Sequence, residues 1–407
     1  MSFPAWLASL LAAISLSTML IPFASQADQS QTILVGLDAD MSSGAAEGGE
    51  SIRRGALVAI REINEQGGVL GRKMKLVVRD PRGNPARGKD NIMEFVGMPG
   101  LVAVLGGVHT PVALHELKAI HANKMIYLGP WAAGTPVVKN GFKPNFVFRV
   151  SVRDSYAGGF MSDHGLKAGY KKLGLLFERT GWGRSNERAI KDALGKRGLE
   201  PVGLEWFNWG VADLSKEIER LATKGAQAII LVANPREGGI AVKFMAARTE
   251  SKRLPIISHW GISGGDFFDQ NKSHLAKIDF AFLQTFSFLK PPLPERAAAF
   301  LDSFKKNFPE IKSATDVASP VGAAHAYDLL HLLAKAITVA GSTDRVAVRD
   351  ALENIKDHAG LMKNYAPPFA EGRHDALDAS NFIMAKFDEK GIIRPVSHES
   401  IFKTGSQ

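Results

Sequence analysis

From Gln31 onward the chain alternates short apolar runs with segments of helical period, and this rhythm constrains its fold more than any other feature. Runs at 32–37, 74–79, 101–106 and 125–128 read as buried strands, separated by helices at about 51–66, 88–96 and 111–123. In the first helix Ile52, Leu57, Ile60 and Ile63 fall on one face, the stripe expected of a helix lying on a sheet. A stretch rich in Pro, Gly and aromatics at 129–148 interrupts the rhythm, which restarts with strands at 173–177, 226–232 and 254–258 and helices at 185–196, 215–224 and 237–249. Two α/β halves in series are implied, and 407 residues are too many for one core. A second break, SFLKPPLP at 287–294, precedes helices at 294–307 and 321–340, which have no sheet of their own unless the chain returns to the first half.

Composition narrows the class. Apolar residues at 45% and charged residues at 22% suit a packed globular protein rather than a disordered one. Residues 1–27 carry no Asp, Glu, Lys or Arg and hold an apolar run from Trp6 to Ile21 before Ser25-Gln26-Ala27, which predicts a cleaved secretory signal. Ser9, Ser15, Ser17, Thr18 and Pro22 break that run too often for a membrane span of ~20 apolar residues. The absence of cysteine removes disulfide, thiolate and Cys-zinc chemistry. The net charge of +9 is spread among interleaved acids, which predicts a solvated basic surface rather than a nucleic-acid site. His109, His115 and His121 lie six residues apart and do not stack on one helical face, so no metal site is expected, and no cofactor.

Ligands of open parallel sheets gather beyond the carboxyl ends of the strands. After the strand at 101–106 comes Gly107-Val108-His109-Thr110-Pro111, with Thr110 expected as helix cap and Pro111 at the first helical position, a helix end suited to a carboxylate or another electron-rich group. The next strand runs into Trp131-Ala132-Ala133-Gly134, whose small residues permit close backbone approach. In the second half Glu178-Arg179-Thr180-Gly181-Trp182-Gly183-Arg184-Ser185 follows a strand, with Ser185 the expected cap. Asn234-Pro235 and Ser258-His259-Trp260-Gly261 follow two more. Three strand-end loops each carrying a tryptophan point to an aromatic-lined cleft.

Two other chemistries have weaker signals. Gly261-Ile262-Ser263-Gly264-Gly265 matches the G-x-S-x-G elbow of serine hydrolases, but Gly264-Gly265-Asp266 favours a loop where an elbow needs a helix. Gly181-Trp182-Gly183 falls short of a dinucleotide fingerprint, because the third glycine is missing and Trp182 would obstruct a pyrophosphate.

The run Gly55-Ala56-Leu57-Val58-Ala59-Ile60-Arg61-Glu62-Ile63-Asn64, then Gly67-Gly68-Val69-Leu70-Gly71-Arg72-Lys73 and Leu76-Val77-Val78-Arg79-Asp80, resembles the type I periplasmic binding proteins of the leucine/isoleucine/valine-binding group, which serve ABC transporters. Leu105-Gly106-Gly107 and Trp182-Gly183 extend the resemblance, which spans about 33–401. It implies two doubly wound parallel-sheet lobes joined by a three-strand hinge: 28–149 with 286–376, and 150–285 with 377–407. It implies a monomer in the periplasm that closes on a small solute and docks on permease subunits, or that presents its ligand to a signalling partner. It places ligand contacts at His109 and Thr110, at Ala132 and Ala133, and at Trp182, with Asn234, Trp131 and Trp260 alongside. The acidic residue that meets an amino-acid ammonium in this group is matched by Trp260, and Ala133 stands where threonine is frequent. A buried ammonium without a counter-charge is costly. An aromatic or aliphatic carboxylate or an amide is therefore the expected ligand, rather than a standard branched-chain amino acid, though tryptophan faces can also hold cations.

Overall fold

A computed structural model describes residues 32–396; the secretory signal expected at 1–27 lies outside the described residues. The first sheet is parallel throughout, in the order β2-β1-β3-β4-β5, from β1 (Ile33–Asp38), β2 (Met74–Arg79), β3 (Leu101–Leu105), β4 (Ile126–Gly129) and β5 (Val147–Arg149). Helices α1 (Ala46–Glu65), α2 (Pro85–Val96), α3 (Thr110–Ala122) and the single turn α4 (Thr135–Val138) connect them. Every residue of β3, LVAVL, is buried, as expected of a parallel strand covered on both faces.

The second sheet is built from β6 (Leu173–Glu178), β7 (Gly203–Phe207), β8 (Ala228–Val232), β9 (Ile256–Ser258) and β10 (Phe280–Gln284), all parallel, with α5 (Asp154–Lys167), α6 (Gly181–Gly195), α7 (Ser215–Thr223), α8 (Pro235–Ala247) and α9 (Phe267–Leu275). The chain then returns to the first sheet with α10 (Pro294–Asn307), α11 (Pro320–Ala340) and α12 (Arg345–Asn354). A two-stranded ribbon follows, β11 (His358–Ala359) and β12 (Asn364–Tyr365). Finally β13 (Ile383–Phe387) adds antiparallel to β10, and β14 (Ile393–Pro395) adds antiparallel to β13, completing the second sheet.

The late helices thus pack on the first half. Gly55 lets α1 and α11 touch, since a Cβ there would lie 2.1 Å from the Ala323 carbonyl oxygen. The Ser51 hydroxyl donates to Ser319 O at 2.6 Å and accepts from Ala323 N at 3.0 Å. Helix α1 begins five residues earlier than its periodicity suggests. Its first turns carry Gly48 and Gly49, poor helix formers, and a Cβ at Gly49 would meet Asp40 O at 1.7 Å. Ile52, Ile60 and Ile63 are buried as expected, whereas Leu57 is only half-buried.

Three segments cross between the sheets: after β5, after β10 and before β13. Arg149, the last residue of β5, ties the first crossing to the third. Its backbone N donates to His374 O at 2.8 Å, while Arg149 O accepts from Ala376 N at 2.9 Å. Its side chain, fully buried, pairs with Asp375 at 2.6 Å.

Inside the first lobe Asp38, the last residue of β1, meets Glu116 of α3 beneath Gly88, where a Cβ would lie 2.6 Å from a Glu116 oxygen. Burial raises both carboxyls, Asp38 to about 6 and Glu116 well above its ordinary 4.5. Two adjacent buried carboxylates cannot both ionise cheaply, so the pair shares a proton. The sign follows: a raised folded pKa stabilises below pH 4.5, and that contribution is lost as pH rises through the folded value. Glu116→Gln, which cannot ionise, should therefore gain on wild type by on the order of 1–2 kcal/mol between pH 5 and 8. Urea denaturation at the two pH values checks this, and an unchanged difference would reject it.

Candidate ligand-binding cleft

The first-lobe wall is made by the ends of β3 and β4. Helix α3 begins at Thr110 with His109 as its extended cap, so the expected capping role of Thr110 is not observed. The reason is geometric: Ala113 N, which a Thr110 cap would have to satisfy, already donates to His109 O at 3.1 Å. The Thr110 hydroxyl oxygen instead accepts from Gly134 N at 3.1 Å, leaving its proton to donate elsewhere. His109 Nε2 lies 3.0 Å from Asp40, and its ring sits 5.2 Å from that of Trp209 in the second lobe. Burial opposes charge on this imidazole, but Asp40, with Glu178 and Glu237 across the cleft, outweighs it and raises the pKa.

The 131–134 loop is pinned through its carbonyls. Trp131 O accepts from the Ser151 hydroxyl at 2.9 Å, Ala133 O from Asp154 N at 3.0 Å, and Ala132 O and Gly134 O both from Arg149 Nη1 at 2.9 Å. The indole of Trp131 is buried beside Gly48, Gly264 and Gly322, with its ring 5.3 Å from that of Trp260.

In the second lobe, α6 starts at Gly181 rather than at Ser185. Thr180 caps it, accepting from Trp182 N at 3.2 Å and Gly183 N at 3.5 Å. Glycine at 183 permits this early start, since a Cβ would lie 1.9 Å from Glu178 O. Ser185 is not a cap: its hydroxyl oxygen accepts from Thr135 N at 3.0 Å and so joins the lobes. Trp182 lies in the first helical turn. Its Nε1–H donates to Asp154 Oδ1 at 3.3 Å, and His259 Nε2 donates to the same oxygen at 3.1 Å. His259 Nδ1 accepts from Trp260 N at 2.9 Å, which sets that tautomer and makes Asp154 the anchor of both indole-bearing segments.

Seven of the eight residues expected from sequence line one cavity: His109, Thr110, Trp131, Ala133, Trp182, Asn234 and Trp260. Ala132 does not line it, being buried within its loop. The cavity, about 10 Å³, has room for roughly one water, and the lobes meet around it through Thr135 N to Ser185 and Trp131 against Trp260.

Residues 32–382 match the family model described as periplasmic binding protein. The chain belongs to this family. Among curated relatives, this periplasmic binding protein is 27% identical to the Leu/Ile/Val-binding protein homolog 3 of Brucella melitensis, over 72% of this chain and 83% of that one. Among solved structures it resembles the branched-chain amino acid transporter substrate binding protein of Streptococcus pneumoniae in complex with isoleucine, at TM-score 0.73 and 22% identity, covering 90% of this chain and all of that one. It also resembles an ABC transporter solute binding protein of R. palustris in complex with 4-hydroxybenzoate, at TM-score 0.72 and 17% identity, covering 90% and 96%.

Two cleft residues escaped the sequence reading. Glu178, fully buried at the end of β6, lines the same cavity, and its carboxylate accepts from the Thr180 hydroxyl at 2.6 Å and from Trp209 Nε1 and Asn234 Nδ2 at 2.9 Å each. Asn234 is the cap residue of α8 but spends its side chain on this acid. The available signal for Glu178 was a lone carboxylate closing an otherwise apolar strand, LGLLFE. Trp209 follows β7, whose half-exposed residues lack a clear strand pattern. Ser263 lies in a 3-10 turn, donates to Trp260 O at 2.8 Å and accepts from Gln284 Nε2 at 3.2 Å; α9 starts only at Phe267, unlike a hydrolase elbow.

Proposed function

We propose that this periplasmic binding protein captures a small organic solute between its lobes and delivers it to the permease subunits of an ABC transporter. The lobes of this reading are 28–149 with 286–376 and 150–285 with 377–407, acting as an exported monomer without catalysis. One observation carries it: residues of both lobes line the same cavity, with His109, Thr110 and Trp131 on one side and Trp182, Asn234 and Trp260 on the other. Groups divided in this way bind best only when the lobes meet, so a solute shifts the population toward the closed form. The Thr110 hydroxyl at the start of α3 would receive an oxygen of the solute, and the indoles would cover its body. Because the closed cavity holds roughly one water, Trp131 and Trp260 must part to admit a solute.

Micromolar affinity needs only ~8 kcal/mol net. A saturating solute, at ~100 times its Kd, should stabilise the protein by ~2.7 kcal/mol. Thermal melts and small-angle scattering with leucine, isoleucine, benzoate, 4-hydroxybenzoate, choline and glycine betaine provide the test. At least one should raise the melting temperature and shrink the particle. If none changes either quantity, the proposal fails.

A further inference from the structure

We infer that Glu178 is the counter-charge for a positively charged nitrogen of the solute, so that this cleft takes ammonium-bearing compounds, quaternary ones included, in preference to simple carboxylates. The inference rests on the solute-binding reading above and names the class of solute. Trp260 occupies the place where the sequence resemblance expects the ammonium partner, yet the cavity still contains a carboxylate, supplied by a different strand.

Three features suit Glu178 to a cationic guest. Its two oxygens accept three hydrogen bonds, from Thr180, Trp209 and Asn234, each of which favours the anion. No lysine or arginine is among the described residues lining the cavity. The one cationic candidate there, His109, is already engaged by Asp40. Closing the lobes therefore collects Asp40, Glu178 and Glu237 about one imidazole, an excess of negative charge that a carboxylate solute would worsen and a cation would relieve. The walls suit the same guest, because indole faces attract cations, most strongly where water is excluded, and Trp131, Trp182 and Trp260 are all buried at this cavity.

Burial raises the Glu178 pKa to about 7 against the pull of its donors, so its charge is adjustable near neutrality. The titratable groups acting on it are His109 of the first lobe and Glu237 of α8, with Asp40 behind His109 at 3.0 Å. Lowering the pH from 8 to 6 protonates Glu178 and adds charge to His109. Both changes weaken binding of a cation.

Calorimetry on the full chain with choline, glycine betaine, leucine and benzoate tests this. At pH 8 at least one of the three nitrogen-bearing probes should bind at least 10-fold tighter than benzoate, and should lose at least 10-fold in Glu178→Gln and several-fold at pH 6. Trp182→Leu, which keeps the carboxylate and removes an indole face, should weaken choline more than leucine. Melting curves confirm that each variant is folded; should Glu178→Gln unfold, the wild-type ranking and its pH dependence decide alone. Benzoate binding tighter than every nitrogen-bearing probe, or an unchanged Kd in folded Glu178→Gln, overturns the inference while leaving solute capture intact. Silence from all four probes overturns the inference, and solute capture falls with it only if the wider melting and scattering panel is silent too.

Discussion

Replacing Arg149 with methionine should lower the free energy of unfolding by ~3–5 kcal/mol and abolish solute binding. The arginine is fully buried and Asp375 nearly so, with Arg153 at 3.5 Å from the same carboxylate. Removing one member of a buried pair leaves a charge with poor compensation, and that penalty dominates the expected loss. The binding defect has a separate origin. Arg149 Nη1 holds both Ala132 O and Gly134 O, so its loss releases the loop that carries Trp131 and Ala133 into the cleft. Arg149→Lys separates the two effects: it keeps a charge for Asp375 but lacks the planar fork that serves hinge and loop together. Denaturant midpoints and calorimetry on both variants provide the check. A methionine variant that melts like wild type would show that the crossing does not depend on this pair.

The second large effect is expected at Asp154. Alanine there strands two buried donors, Trp182 Nε1–H and His259 Nε2–H, at ~1–3 kcal/mol each. The variant should lose ~2–5 kcal/mol of stability, and its tryptophan emission should move to the red as Trp182 is freed. Asparagine should recover only part of this. A single oxygen, Oδ1, serves both donors, while Oδ2 is buried without a hydrogen-bond partner among the described residues, so an amide nitrogen placed there would gain no acceptor. If the alanine variant kept wild-type emission and stability, Asp154 would have no part in holding the indoles.

The sequence was most legible where packing alone decides structure. The apolar runs that became β3 and β8 are buried on both faces, and no other use of LVAVL or AIILV competes. Strand β7, GLEWF, was invisible because four of its five residues are only half-buried and one is Glu205. Strand β13 is antiparallel and comes from the far end of the chain, so no local βαβ rhythm announces it. In the cleft, tryptophans after strand ends were readable, since strand ends are where ligands gather. Capping was less so. Thr110 and Ser185 look like caps in sequence, yet their hydroxyls accept from Gly134 N and Thr135 N, a partnership that only the folded lobes create. Glu178 was hidden for the same reason, as its donors come from residues 180, 209 and 234.

The return of α11 to α1 has a consequence for biosynthesis. Ser51 finds its partner Ser319 only 268 residues later, so the amino-terminal sheet, though synthesised first, waits for its cover until most of the polypeptide has been made. The five parallel strands of the other sheet lie within one uninterrupted stretch, 173–284, and can pair without that delay, with β13 and β14 joining them at the end. The sheet translated earliest is thus the one whose helical cover arrives late.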